Sequence, residues 1–193
     1  SLIQWVVDCL AILSIEIIIV TTQGDCFTFP SLRSGHRLTT TTSLPSPRIK
    51  MVADIYPGKG SLGGIYTGLV ASSRLQAIVV GCDMPFLNTA LLDYMTQLSP
   101  AFDIVVPRTG KGMEPLCAVY SKNCLVPIHR LIKRNELRVS EFFSMVRVRY
   151  VEEVEINRFD PEHLSFFNIN TQADLAKARR LAAREMEEEK LQP

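Results

Sequence analysis

Apolar positions along this chain follow two periods that alternate from one segment to the next. Ile3, Val6, Val7, Leu10 and Leu13 recur at helical spacing, with Gln4 and Asp8 off that face. The run EIIIVT at 16–21 is short and β-branched, which predicts a strand buried on both faces. From Ile49 onward the alternation becomes regular. IKMVAD (49–54) predicts a strand, IYPGKGSLGG (55–64) a loop, and residues 62–73 a helix whose face is Leu62, Ile65, Leu69 and Val70. AIVVGC (77–82) is a continuous apolar strand. NTALLDYMTQL (88–98) is a helix with Asn88 as its cap, and DIVVP (103–107) is another buried strand. GMEPLCAVY (112–120) predicts a strand, and residues 121–134 a helix interrupted near Pro127. MVRVRYVEEVEI (145–156) predicts a strand with a turn, FFNIN (166–170) a short extended segment, and a long helix begins near Thr171. No internal repeat is visible. Strands alternating with helices predict an α/β fold of the Rossmann-like, doubly wound kind, with a mostly parallel sheet covered on both faces.

One segment breaks the pattern. Residues 22–48 carry no sustained period and include the tract Thr39 to Ser43, with Pro45 and Pro47 close behind it. They predict an irregular surface loop that holds Cys26 and His36. At the other end ARRLAAREMEEEKLQP predicts a solvated helix whose last residues, 186–193, fray. A length of 193 residues fits one domain, 1–193, with room for a sizeable core.

Composition narrows the function classes. The chain is 47% hydrophobic and 21% charged, with a formal net charge of +1. Bulk electrostatics therefore points neither to nucleic acid nor to an anionic membrane. The apolar N-terminal stretch is expected to split into a helix and a strand rather than form a signal peptide or membrane span, because Gln4, Asp8 and Glu16 interrupt it and no basic leader is seen. Five cysteines, Cys9, Cys26, Cys82, Cys117 and Cys124, are odd in number and form no CxxC. They fit reduced thiols of a cytosolic protein better than a disulfide framework or a zinc site.

Two stretches carry candidate chemistry. In VVGCDMPFL (79–87) an apolar strand ends on the carboxylate of Asp83, and Met84 and Pro85 turn the chain away. Open α/β sheets bind ligands beyond the carboxyl ends of their strands. A carboxylate there suits Mg²⁺, which takes one or two carboxylates plus substrate phosphates. The same residue could equally cap the next turn. The second stretch, DIYPGKGSLGGIYTGL (54–69), places Gly58, Gly60, Gly63, Gly64 and Gly68 around Lys59 and leads into a helix N-terminus. Such a loop can bring backbone amides to an anion or a flat ring. It matches neither a Walker A loop nor a dinucleotide fingerprint, and a packing role for its glycines is the simpler reading.

Taken in order, Asp54 with PGKGSLGGI, GCDMPFL, EPLCAVY and FFNINTQADL resemble the molybdenum cofactor guanylyltransferases, the MobA family of nucleotidyltransferases. The resemblance covers roughly 49–180, with a fainter match at 2–21. It implies an enzyme in the cytoplasm that transfers GMP from GTP to molybdopterin and releases pyrophosphate, with Mg²⁺ as cofactor. It implies that Asp54, Leu62, Gly63 and Gly64 serve the guanine nucleotide. Asp83 would hold the metal and contribute to both binding and catalysis, and Asn168, Asn170 and Thr171 would face molybdopterin. Other cofactor-maturation proteins are implied as partners, and nucleic acid and membrane are not. That family opens on a strand and a glycine-rich phosphate loop bearing an arginine and a lysine, with no counterpart in these residues. The sheet is therefore expected to be missing its first strand, as in a fragment, a damaged gene product or a divergent relative. Two other readings follow: a catalytically impaired nucleotide- or cofactor-binding module, and a cytidylyl or sugar-phosphate nucleotidyltransferase sharing the Asp83 motif.

Overall fold

The computed structural model describes residues 2–22 and 47–191. Most of the expected irregular loop, with Cys26 and His36, lies outside the described residues, as do the last two positions of the tail. Helix α1 (Leu2–Leu10) buries Val6, Val7 and Leu10 and leads to strand β1 (Glu16–Thr21). β2 (Arg48–Ala53) pairs with β1 in parallel over six residues, from Glu16 opposite Arg48 to Thr21 opposite Ala53. Helix α2 (Gly60–Ala71), strand β3 (Gln76–Val80) and helix α3 (Thr89–Leu98) follow. Asn88 caps α3 as expected, its Oδ1 accepting the amide of Leu91 at 2.9 Å.

The second half brings β4 (Ile104–Thr109), β5 (Gly112–Met113) and β6 (Cys117–Ser121). It continues with α4 (Leu125–Arg134), β7 (Val148–Glu152), α5 (Glu153–Ile156) and α6 (Gln172–Leu191). Pro127 does not interrupt α4. It sits in the first turn, where the amide it lacks has no helical partner in any case.

Both parts of the expected sheet arrangement need correction. The sheet is not missing its first strand: β1 is present at the N-terminal end and fully paired with β2. Nor is the larger sheet mostly parallel. β3 pairs antiparallel with β6, and β4 pairs antiparallel with β5 and β6; only β4 with β7 is parallel among its described pairings. The reason is local. β4 and β5 are joined by Gly110 and Lys111 alone, with Gly112 at φ 125°, and a two-residue link can join only antiparallel neighbours. β6 then runs back between β3 and β4. The fold remains Rossmann-like α/β, with two sheets of two and five strands among the described residues.

Packing follows the pleat. Ile104, Val106, Ala118 and Tyr120 face α2 and α4, where Leu62, Ile65, Leu69, Ile128 and Leu131 complete a core. Val105, Val119 and Val151 face the opposite way, toward Leu91 and Met95 of α3 and Ile156 of α5. Ile17 and Ile19 pack under α1 with Met84, Leu87, Leu92 and Cys117. Burial pushes the thiols of Cys117 and Cys124 up to about 12, so both behave as small apolar side chains. Among the described residues no helix is long and apolar enough to cross a membrane.

Candidate active site

The polar groups that the apolar strands exclude collect where β2 and β3 end. After Val80 the amide of Gly81 still donates to Leu116 O at 2.9 Å, so the chain leaves the sheet only at Cys82 and Asp83. Met84 and Pro85 are buried and fix the turn. Gly81 makes room for it: a Cβ there would lie 2.5 Å from Asp83 Oδ1 and 3.1 Å from Met84 Sδ. Asp83 is half-exposed, and its carboxylate is not a turn cap in the described structure. Its backbone is held, because Ile169 N donates to Asp83 O at 2.9 Å. That bond draws the extended segment 168–170 alongside the Asp83 turn. Asn168 and Asn170 are exposed and Ile169 is half-buried between them, as alternation along an extended segment requires.

Thr171, not Asn170, caps α6. Its Oγ1 accepts the amide of Asp174 at 3.1 Å, while Asp174 Oδ2 accepts the Thr171 amide at 2.8 Å and the Asn170 amide at 3.2 Å. Hydrogen bonds from Thr171 hold the Asp174 carboxyl below its ordinary value. Asn168 makes only a long contact, Nδ2 to Phe166 O at 3.5 Å, and so keeps its amide available.

Asp54 is built differently. Its Oδ1 accepts the amide of Tyr56 at 3.0 Å and the hydroxyl of Thr67 at 2.8 Å, and Thr67 Oγ1 in turn accepts the amide of Ile55 at 3.0 Å. One carboxylate oxygen thus clamps the turn between β2 and α2. Gly58 and Gly60, at φ 79° and 57°, let the chain double back before α2. Gly63 is a packing glycine, since a Cβ there would meet Tyr56 O at 2.9 Å and Asp54 Oδ2 at 3.1 Å. Leu62 is fully buried in the core beside α4, so only its backbone is left for a ligand, whereas Gly64 faces open space. Lys59 reaches sideways, its Nζ donating to Asn135 Oδ1 at 2.9 Å.

The structure therefore forms two clusters: Asp54 with the loop of Gly63 and Gly64, and Asp83 with 168–171. Ser61 and Gly64 on one side and Cys82 on the other line a common cavity of about 670 Å³. Sequence reasoning passed over the aromatic row flanking Asp83. Trp5 lies 6.4 Å from Phe86, Phe86 lies 6.0 Å from Phe167, and Lys177 Nζ stands 5.1 Å above the Phe167 ring. The FF of FFNIN was its one visible signal. Among the described residues no group of three or more His, Cys, Asp or Glu could enclose a metal. Asp83 fits the other mode of binding, in which one carboxylate anchors a hard cation that substrate phosphates and water complete.

The model of the MobA-like NTP transferase domain matches residues 1–148. A probable molybdenum cofactor guanylyltransferase of Pelotomaculum thermopropionicum is 39% identical over 134 residues, 69% of this chain and 65% of that protein. The molybdenum cofactor guanylyltransferase of Desulfosudis oleivorans is 37% identical over 129 residues, 66% of this chain and 64% of that protein. This chain thus spans slightly less than two thirds of either relative. The crystal structure of molybdopterin-guanine dinucleotide biosynthesis protein A from Archaeoglobus fulgidus superposes with a TM-score of 0.63 at 27% identity, covering 70% of this chain and 69% of that one. A cytidylyltransferase from Thermus thermophilus, that for 2-C-methyl-D-erythritol 4-phosphate, shares the fold with a TM-score of 0.63 at 14% identity, covering 95% and 89% of the two chains. With the family model spanning most of the chain, Asp54 and Asp83 included, the chain belongs to the MobA-like NTP transferase family.

Proposed function

We propose that this chain carries out, or forms part of a protein that carries out, guanylyl transfer from GTP to molybdopterin. A phosphate oxygen of molybdopterin attacks the α-phosphorus of GTP. One P–O bond forms, the bond to the β-phosphate breaks, and pyrophosphate leaves. Two relatives named as molybdenum cofactor guanylyltransferases support the reading. The observation that carries it is Asp83. Its carboxylate is half-exposed at a strand end while its backbone is fastened to the segment bearing Asn168.

Asp83 would hold Mg²⁺, which when bound offsets charge on the triphosphate. Asp54 Oδ2 would accept from guanine, with Oδ1 already committed to the turn. Gly64 and the backbone at Leu62 and Gly63 would lie against the nucleotide. Asn168, with Asn170 beside it, would read the pterin or its phosphate. Thr171 would act through the helix cap that positions them.

Purified chain supplied with GTP, Mg²⁺ and molybdopterin should form the dinucleotide and pyrophosphate, and Asp83→Ala should not. The reading fails if the unmodified chain forms neither product and does not bind GTP. One observation favours binding without efficient turnover. Lys59, the cation of the glycine-rich loop, is turned to Asn135 at the end of α4. In that case GTP binds in the presence of Mg²⁺ while pyrophosphate release stays at background. CTP competing as well as GTP would favour a cytidylyl transferase instead.

A further inference from the structure

Helices α2 and α4 lie side by side and antiparallel. Lys59, at the start of α2, donates from Nζ to Oδ1 of Asn135, the residue that ends α4. Lys122, just before α4, donates from Nζ to the carbonyl of Ser72, the residue that ends α2, at 2.7 Å. Midway, the rings of Tyr66 and His129 lie 6.0 Å apart, and the ring of Tyr56 packs on both. Both helices turn their apolar sides inward, where Leu62, Ile65, Leu69, Ile128 and Leu131 meet. The groove that two packed helices leave between them therefore faces outward here.

The groove changes character along its length. Val70 lies one turn beyond Tyr66 on α2, and Val126 one turn before His129 on α4, so antiparallel packing sets the two valines at the same end. They are 44% and 60% exposed. Lys59 and Lys133 stand at the opposite end, the latter one turn beyond His129. Arg130 and Arg134 continue the basic row along the exposed side of α4, whereas α2 carries no charged residue. Among the described residues Arg130, Lys133 and Arg134 form no ion pair. Lys133 and Arg134 suit the C-terminal end of α4 electrostatically, but Arg130 and Lys59 lie outside that last turn.

We propose that the α2–α4 face docks an acidic amphipathic helix of a partner protein, its carboxylates set over Lys59, Arg130 and Lys133 and an aliphatic side chain against Val70 and Val126. A helix laid in the groove would match α4 over about 15 Å, or about three turns. Carboxylates favour the N-terminal end of a helix, which sets the direction: the partner helix runs parallel to α2 and antiparallel to α4. Exposed valines in line with cations fit a polypeptide better than a phosphate backbone. So does Glu136, whose exposed carboxylate adjoins the cationic end, and so does a net charge of only +1 on the whole chain. The face also adjoins the turn that Asp54 clamps, since Tyr56 and Lys59 belong to both. The inference is independent of the guanylyl-transfer reading, because its readout is peptide binding and not turnover.

The test uses the full chain and a fluorescein-labelled peptide, acetyl-Asp-Ala-Ala-Glu-Glu-Ala-Gln-Leu-Ala-Ala-Leu-Leu-amide, whose acids and leucines share one helical face. A shuffled peptide of the same composition keeps the charge and loses the face, and a short oligothymidylate offers phosphate instead. The first peptide should bind saturably, at least about ten-fold more tightly than either control. Arg130→Glu with Lys133→Glu should weaken it by at least about ten-fold, and Val126→Ser should weaken it less, all with the melting temperature of the unmodified chain. Should the charge reversal prevent folding, Arg130→Gln with Lys133→Gln takes its place. Absence of saturable binding would overturn the proposal. So would equal binding of the shuffled peptide, equal or tighter binding of the oligothymidylate, or full binding to the folded charge variant.

Discussion

The amide of Ile169 donates to the carbonyl of Asp83 at 2.9 Å, and this one backbone bond unites the end of β3 with the segment that leads into α6. Its effect is to separate the two parts of Asp83. The backbone serves the architecture, while the half-exposed carboxylate makes no side-chain hydrogen bond among the described residues. Asn168 and Asn170 inherit their exposure from the same bond, because fixing Ile169 inward turns its neighbours outward.

The first prediction follows from that separation. Asp83→Ala should leave the melting temperature within about a degree, since removal of a surface carboxylate away from special contacts changes stability by about 0.5 kcal/mol or less. Affinity for GTP in the presence of Mg²⁺ should fall at least about ten-fold. Gly81→Ala should lower the same affinity with Asp83 intact, by driving a methyl group against Asp83 Oδ1. Calorimetric titration with and without Mg²⁺ checks both. Unchanged affinity in both variants would remove Asp83 from the site.

Asp54 should behave in the opposite way. Its Oδ1 holds the Tyr56 amide and the Thr67 hydroxyl, and Thr67 is nearly fully buried. Thr67→Val should therefore destabilise the chain by about 1–3 kcal/mol through unpaired buried groups, and Asp54→Ala by a similar amount. Of the two, only Asp54→Ala should also reduce the preference for GTP over CTP and ATP. Urea denaturation and competition binding separate the effects. Equal loss of base preference in Thr67→Val would mean that the turn, and not the carboxylate, sets it.

At the start of α6 the roles can be divided residue by residue. Thr171→Ala removes the cap hydroxyl that Asp174 shares and should cost about 1 kcal/mol. Asn168→Ala removes an exposed amide with one long contact and should leave the melting temperature unchanged while weakening molybdopterin binding. Thermal melts paired with pterin fluorescence titration would decide. A stability loss in Asn168→Ala without a change in pterin affinity would reassign it to the scaffold.

The parts legible in the sequence were those with a short-range cause. The strands AIVVGC and DIVVP, the cap at Asn88 and the turn after Asp83 each follow from a local run of apolar residues or a single capping side chain. Strand direction was decided by the two-residue link of Gly110 and Lys111, which falls between the predicted strands 103–107 and 112–120 and carries no apolar period. GMEPLCAVY breaks in two because Glu114 and Pro115 lie between β5 and β6, and the Tyr120 hydroxyl donates to Pro115 O at 2.8 Å. The clamp made by Asp54 was hidden for a different reason: its partner Thr67 lies 13 residues further on, on the buried side of α2.

Acid should loosen the far side of the sheet before it reaches the crevice. Asp103, just before β4, is 7% exposed. Burial alone would raise its carboxyl, but hydrogen bonds from the Arg147 side chain and Asn123, the Arg147 amide and the Arg147 charge outweigh that and hold it at about 2, below its ordinary 3.8. Glu155 repeats the arrangement. Burial raises it, while bonds from Arg149 and Tyr94, each 2.6 Å long, and from the Glu152 amide bring it to about 2. Together the two carboxylates fasten both ends of β7. A carboxylate whose folded pKa is depressed contributes stability that is fully present above its unfolded value and is lost as pH falls through the folded one. Stability should therefore be level from pH 7 to about 5 and decline between about pH 4.5 and 2. Because Arg147 is largely exposed, the loss should be on the order of 1–2 kcal/mol per group rather than the full shift. Asp103→Asn with Glu155→Gln should be less stable at pH 7 and should flatten the acid limb, and amide exchange in 148–152 should accelerate first as the pH is lowered. Urea midpoints measured from pH 2.5 to 7 test this: a double variant with the same acid slope as the unmodified chain would show that other carboxylates control acid unfolding.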